Sequence, residues 1–91
     1  MTPPLHARLT LLNAMGLHAR AAASFVKAIK DLKVEVSVSW EGQTANGRSV
    51  LDLLILGAPR GSVLELQIQG DDAEEALSTL TRLVANRFDE E

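Results

Sequence analysis

Apolar and polar residues alternate along three stretches of the chain, and this alternation is typical of strands with one buried face. The first stretch, residues 5–12, places its apolar side chains on one face at Leu5, Ala7, Leu9 and Leu11. The second covers residues 34–40, and the third carries the apolar residues Val63, Leu64, Leu66 and Ile68. Residues 41–43 predict a turn, so a short strand over residues 44–46 completes a hairpin with the second stretch.

Between the first two strands the apolar residues follow a helical period. From Ala19 onward they recur at spacings of three and four residues, at Ala22, Phe25, Val26 and Ile29. This spacing is the buried stripe of an amphipathic helix. The helix is predicted to end near Leu32 and Lys33, where lysine side chains would interact favourably with the negative end of the helix dipole.

The apolar run over residues 50–56 suits either a helix or a strand by its pattern alone. Ser49, followed three residues later by Asp52, is typical of a helix N-terminus, and Gly57 is typical of a helix end. We therefore interpret residues 50–56 as a short helix.

The last helix is predicted from its polar start and its apolar stripe. Asp71 or Asp72 is expected to cap it, with Glu74 or Glu75 completing a capping box. Its core side chains recur at helical spacing, at Ala73, Ala76, Leu77, Leu80, Leu83 and Val84.

The predicted order of elements is strand, helix, strand, strand, helix, strand, helix. Strands that alternate apolar and polar residues have one solvated face. We therefore predict an α+β fold, with an antiparallel sheet and every helix on its other face. At 91 residues the chain suits one small domain, spanning residues 1–91, and is too short for two.

Composition excludes several classes of protein. The net charge of −3 argues against nucleic-acid binding. The chain has no cysteine and no apolar run approaching about 18 residues, which argues against disulfides, thiolate metal sites and membrane insertion. Residues 1–4 do not resemble a signal peptide, so a cytoplasmic location is expected. The acidic end, Asp89-Glu90-Glu91, is interpreted as a solvated tail.

The tetrapeptide Leu-His-Ala-Arg occurs twice and contains both histidines of the chain. His6 falls on the polar face of the first strand and is interpreted as a solvated surface residue. His18 follows a glycine-containing loop and precedes a helix, whose unpaired N–H groups and positive dipole end attract anions. There Arg20 adds a guanidinium suited to phosphate oxygens. His18 is therefore a candidate nucleophile or simply the N-cap residue of the helix, and the motif taken alone favours the N-cap.

Residues 42–49, Gly-Gln-Thr-Ala-Asn-Gly-Arg-Ser, nearly match the phosphate-loop pattern, with Arg48 in place of lysine. A planar guanidinium is not equivalent to a compact ammonium between phosphates. Residues 44–46 are also needed for a strand, and the chain leaves little room for the rest of a nucleotide hydrolase. We therefore expect no nucleotide site here, and we predict no metal site or serine triad elsewhere.

Residues 16–22, Gly-Leu-His-Ala-Arg-Ala-Ala, resemble the phosphorylation-site motif of HPr, the histidine-containing phosphocarrier of the bacterial sugar phosphotransferase system. The resemblance extends from about Leu9 to Leu83 and includes the element order, the serine at position 49, and Gly57 and Gly61. It implies an open-faced β-sandwich of four antiparallel strands covered by three helices. It also implies a monomeric phosphoryl carrier without a cofactor, rather than an enzyme with turnover of its own.

The same resemblance implies roles for single residues. His18 would be phosphorylated on Nδ1 by Enzyme I, which takes the phosphoryl group from phosphoenolpyruvate, and would pass it to a sugar-specific Enzyme IIA. Arg20 would help to hold the phosphate, and Ser49 matches a regulatory site used where an HPr kinase/phosphorylase exists. Two residues depart from the family: Ala21 replaces the usual proline at the helix start, and Asp52 replaces a basic or small residue.

The expected partner surface surrounds His18 on two helices. It comprises Arg48, the polar helix face with Ala19, Ala23, Lys27 and Lys30, and an apolar patch with Val50, Leu51 and Leu54. The patch is expected because the run over residues 50–56 is too dense for one short helix to bury.

Two alternative functions remain. One is a regulatory interaction domain of the same fold acting mainly through Ser49, against which the intact histidine motif argues. The other is a small nucleotide-binding protein using Gly42 to Ser49, which a test for ATP binding would reveal.

Overall fold

A computed structural model describes residues 3–90 and contains seven regular elements in the predicted order. The four strands are β1 (Leu5–Thr10), β2 (Glu35–Trp40), β3 (Gln43–Asn46) and β4 (Val63–Gln69). The three helices are α1 (Ala19–Ala28), α2 (Val50–Leu56) and α3 (Ala73–Ala85), and a tight 3-10 turn follows over Arg87–Asp89. Among the described residues, no helix combines the length and apolar character needed to cross a bilayer.

The strands form one antiparallel sheet in the order β1-β4-β2-β3. The last strand in the chain therefore lies between the first two, and each neighbour keeps its apolar residues in register with it. Leu64 of β4 lies opposite Leu9 of β1, and Leu66 lies opposite Val38 of β2. These pairs put the apolar positions of adjacent strands on the same face of the sheet.

That apolar face and the inner faces of the helices form one hydrophobic cluster. The fully buried side chains include Phe25 of α1, Leu53 of α2, Leu80 of α3 and Leu66 of β4. The other face of the sheet is open, with His6, Arg8, Glu65 and Gln67 exposed. The α+β architecture predicted from the alternating strands, and the open-faced sandwich implied by the resemblance, are both confirmed.

Helix α1 is shorter than its sequence predicts. It ends at Ala28 rather than near Leu32 and Lys33, and the chain continues through turns to β2. The guanidinium of Arg48 lies against this bend and donates hydrogen bonds to four carbonyls, those of Ile29, Lys30, Leu32 and Val34, at 3.0–3.2 Å. The guanidinium thus bonds carbonyls that lie beyond the last residue of the helix. Of the lysines, only Lys27 lies in the last helical turn.

Helix α2 has the predicted bounds and the predicted ends. The hydroxyl of Ser49 accepts a hydrogen bond from the N–H of Asp52 at 3.1 Å, and Gly57 adopts the left-handed conformation with φ of 60°. These are the usual ways to satisfy the free backbone groups at the two ends of a helix.

Helix α3 begins where predicted but without the predicted capping box. Asp72 occupies the N-cap position, yet its side chain does not bond to the helix. Its Oδ2 instead accepts a hydrogen bond from the N–H of Lys33 at 2.7 Å. The carboxylate therefore ties α3 to the bend after α1, a contact that joins residues distant in the chain.

Candidate functional site

The loop before α1 holds His18 at the helix start. Gly16 has a φ of 62°, and a Cβ there would fall 2.5 Å from the carbonyl oxygen of Ala58, so only glycine fits this position without a shift. The N–H of Leu17 donates to the same carbonyl at 2.9 Å. Within the loop, Nδ2 of the fully buried Asn13 donates to the carbonyl of Gly16 at 2.6 Å. These bonds anchor the two residues that precede His18.

His18 is the N-cap residue of α1 by its backbone, with an extended conformation and a carbonyl that accepts from the N–H of Ala22 at 2.8 Å. Its side chain makes no capping hydrogen bond, so the ring is not committed to the helix backbone. The N–H groups of the first turn precede the helical ladder and point out of the helix start. The predicted position of His18, next to free N–H groups and the positive dipole end, is confirmed.

The imidazole of His18 contacts a carboxylate from the far end of the chain. Its Nε2 lies 2.8 Å from Oε2 of Glu90, and the two side chains are only 18% and 15% exposed. Oε1 of the same carboxylate accepts from Nδ2 of Asn13 at 3.3 Å. Among residues 3–90, Glu90 is the one hydrogen-bond partner of the His18 ring, and Nδ1 is left uncommitted.

This contact corrects the interpretation of the acidic end as a solvated tail. Asp89 is exposed, but Glu90 is partly buried against His18, and Glu91 lies outside the described residues. Glu90 and Asn13 were not predicted as site residues, because no motif beside either residue links it to a histidine. The one available indication was Phe88, an apolar residue among polar neighbours, which is buried.

Arg20 lies in the first turn of α1 and is exposed. No hydrogen bond or ion pair engages its guanidinium within the described residues, so its donors remain available to a ligand at the helix start. Ala19, Ala23, Lys27 and Lys30 are also exposed, as predicted. Arg48, by contrast, uses its guanidinium to bond the bend after α1.

Helix α2 presents an apolar surface that differs in detail from the predicted one. Leu51 and Leu54 are exposed as expected, whereas Val50 is half-buried and packs against the core. Ile55, which the sequence analysis did not select, is 70% exposed. The three exposed residues lie on one side of α2, since they are spaced by three and four positions.

The near-match to a phosphate loop is built as a different structure. Gln43 to Asn46 form strand β3 and pair with β2, so these backbone groups are used in the sheet. Gly47 packs against Val36, where a Cβ would fall 2.7 Å from the valine side chain. The glycines of residues 42–49 therefore serve a hairpin and a close strand contact, as expected from the need for a strand here.

Comparison with known proteins gives a consistent result. A sequence model of the family described as the PTS HPr component phosphorylation site matches residues 5–86. The phosphocarrier protein HPr of Xylella fastidiosa (strain Temecula1) is 34% identical over 87 residues, covering 96% of this chain and 98% of that protein. HPr of Pseudomonas aeruginosa is 39% identical over 83 residues, covering 90% and 92%.

Among solved structures, HPr-C-His from Thermoanaerobacter tengcongensis superimposes with a TM-score of 0.90 at 33% identity, covering 96% of this chain and 98% of that one. Both the sequence matches and the fold extend over almost the whole chain. The chain therefore belongs to the HPr family, the phosphocarrier components of the phosphotransferase system, which carry phosphoryl groups and are not catalytic enzymes.

Proposed function

We propose that His18 accepts a phosphoryl group on Nδ1 from phosphorylated Enzyme I, charged by phosphoenolpyruvate, and passes it to an Enzyme IIA. The observation that carries this proposal is the place of His18 at the start of α1, with Nδ1 of its ring uncommitted among the described residues. The other ring nitrogen, Nε2, lies 2.8 Å from Oε2 of Glu90. An ionised carboxylate can only accept a hydrogen bond, so Nε2 holds the proton of the neutral ring. The lone pair is then on Nδ1, the nitrogen that the described residues leave uncommitted.

The surroundings of His18 suit the phosphoryl group after transfer. The N–H groups of the first turn of α1 and the positive end of its dipole attract negative charge. Arg20 is exposed in the same turn, and its guanidinium can form charge-assisted hydrogen bonds with phosphate oxygens. Ala21, where the family usually has proline, adds one further N–H donor to this turn.

The partner surface is proposed to combine the exposed face of α1 with the apolar side of α2. Ala19, Ala23, Lys27 and Lys30 supply a partly basic rim, and Arg48 lies at the end of α1. Leu51, Leu54 and Ile55 supply exposed apolar area. A small apolar patch with a charged rim favours fast, reversible docking, which a carrier needs in order to leave each partner. That the protein acts as a monomer and that it is located in the cytoplasm stay predictions.

The direct test is incubation with phosphoenolpyruvate and Enzyme I, followed by intact mass. The wild-type protein should gain the mass of one phosphoryl group, and the modification should be labile to acid and stable to base. His18→Ala should remain unmodified. His6→Ala is the matched control and should label normally, because His6 lies on the open face of the sheet. Labelling that persists in His18→Ala would refute the proposal.

We further propose that phosphorylation of Ser49 regulates docking. Ser49 caps α2 beside the exposed apolar residues, and a phosphate there meets the free N–H groups of the helix start. It also adds about two negative charges at the edge of the docking surface. The fold should therefore tolerate the modification while partner affinity falls.

Ser49→Asp is the corresponding test variant, and Ser78→Asp on the exposed side of α3 is its control. Ser49→Asp should raise the KM of Enzyme I for the carrier, whereas Ser78→Asp should leave it unchanged. Transfer to Ser49→Asp at the wild-type rate across carrier concentrations would contradict the regulatory role.

A further inference from the structure

We propose that Glu90 is a positioning residue that sets the protonation pattern of the His18 ring, an inference that rests on the proposed phosphorylation of His18. In the neutral ring, the ionised carboxylate accepts a hydrogen bond from the N–H at Nε2, and this leaves the lone pair on Nδ1. A hydrogen bond to a carboxylate in a partly buried site is stronger than one to water or to a neutral acceptor. Glu90 therefore favours one tautomer and one orientation of the ring.

Both oxygens of the Glu90 carboxylate are engaged. Oε2 faces Nε2 of His18 at 2.8 Å, and Oε1 faces Nδ2 of Asn13 at 3.3 Å. Asn13 is fully buried, and the same Nδ2 bonds the carbonyl of Gly16 at 2.6 Å. The carboxylate is thus held by the loop that also positions His18, and its distance from the ring does not depend on one contact alone.

The backbone before Glu90 is built to bring it to this place. Arg87, Phe88 and Asp89 have φ values of 56°, 54° and 60°, which is a left-handed backbone conformation that residues with a Cβ seldom adopt. Three consecutive residues hold it because Phe88, only 5% exposed, packs into the hydrophobic cluster. The N–H of Glu90 also donates to the carbonyl of Arg87 at 2.9 Å. A buried anchor and a strained turn indicate a defined position rather than a free end.

The carboxylate also compensates charge during transfer. The Nδ1 lone pair of His18 forms a bond to phosphorus while the bond between phosphorus and the donor histidine nitrogen of Enzyme I breaks. The electron pair of that bond returns to the donor nitrogen. His18 keeps its proton on Nε2, so its ring becomes a phosphorylated imidazolium with one positive charge. The carboxylate of Glu90 accepts a hydrogen bond from this N–H and places a negative charge beside the positively charged ring.

The test compares Glu90→Ala and Glu90→Gln with Asp89→Ala, a neighbouring exposed carboxylate, as the control. Nitrogen-15 NMR of the His18 ring, recorded in each variant at a pH where titration shows the ring to be neutral, reports the tautomer. Wild type and Asp89→Ala should show the proton on Nε2. In Glu90→Ala the Nδ1–H tautomer should become populated, and phosphoryl transfer from Enzyme I should slow by about tenfold.

Glu90→Gln separates geometry from charge, because its amide oxygen still accepts a hydrogen bond but carries no charge. It should restore the wild-type tautomer and give a transfer rate between those of wild type and Glu90→Ala. Unchanged tautomer and rate in Glu90→Ala would overturn the role of Glu90 while leaving the proposed function intact. Failure of the wild-type protein to accept phosphate on His18 would instead refute the proposed function itself.

Discussion

At the scale of single residues, the proposed site separates a nucleophile from a group that stabilises charge. His18 contributes a ring whose Nε2 is engaged by a carboxylate, and Arg20 contributes an exposed guanidinium two positions later. Both lie at the start of α1, where the backbone itself attracts anions. In the proposed transfer the nucleophile is required for any reaction, whereas the guanidinium affects only how well the charge of the phosphoryl group is stabilised.

Arg20→Ala should therefore be phosphorylated by Enzyme I, but slowly. The substitution removes a charge-assisted contact worth about 1.5–3 kcal/mol, which corresponds to a rate lower by roughly ten- to a hundredfold. Rapid-quench labelling measures this rate. Arg8→Ala, on the open face of the sheet, is the matched control and should label as wild type does. Equal rates for the two variants would remove Arg20 from the site.

At the scale of elements, the bend after α1 is held by a side chain from another segment. Arg48 lies between β3 and α2, and its guanidinium bonds the carbonyls of the bend that follows α1. Arg48, which gives residues 42–49 their similarity to a phosphate loop, thus has a structural role. It joins two elements that carry the proposed docking surface.

Arg48→Ala should destabilise the fold by about 1–3 kcal/mol, since several carbonyls lose a charged donor. Arg48→Lys should recover part of this loss, because an ammonium cannot reach all of the carbonyls with the fork of a guanidinium. Urea unfolding followed by the fluorescence of Trp40, the one tryptophan of the chain, measures the free energy of unfolding. Arg60→Ala, an exposed arginine in the loop before β4, should change it by less than about 0.5 kcal/mol. A comparable small change in Arg48→Ala would contradict this role.

At the scale of the whole molecule, residues 88–90 pack against parts of the fold that lie far earlier in the chain. Phe88 enters the hydrophobic cluster, and Glu90 then reaches His18, a residue 72 positions earlier. The sheet order, with β4 between β1 and β2, likewise mixes early and late parts of the chain. Stability and the geometry of the site are consequently coupled through the C-terminal residues.

Phe88→Ala tests this coupling. Removal of a buried phenylalanine side chain should lower the free energy of unfolding by about 3 kcal/mol, and loss of the anchor should release Glu90 from His18. Phe88→Leu keeps an apolar anchor and should cost less than about 1.5 kcal/mol. Urea unfolding measures the first effect, and the nitrogen-15 shifts of the His18 ring measure the second. A Phe88→Ala protein as stable as wild type would show that the anchor contributes nothing.

The sequence by itself determined the features that depend on neighbouring residues. Alternation identified the strands, and helical spacing identified the stripes of α1 and α3. The ends of α2 followed from Ser49 and Gly57, because a cap bonds backbone groups within a few residues of itself. The place of His18 at a helix start was predictable for the same reason, since the loop glycine and the change of period lie next to it.

Tertiary structure alone decided the hydrogen bonds that polar side chains form with residues distant in the chain. Asp72 had donors in its own helix but bonds the N–H of Lys33, 39 positions away. Arg48 bonds the bend after α1 from a different segment, and Glu90 bonds the His18 ring. Each choice depends on which groups the packed core brings within about 3 Å, the distance at which a hydrogen bond forms. Local spacing carries no record of that distance, because it is set only when the sheet and helices have packed.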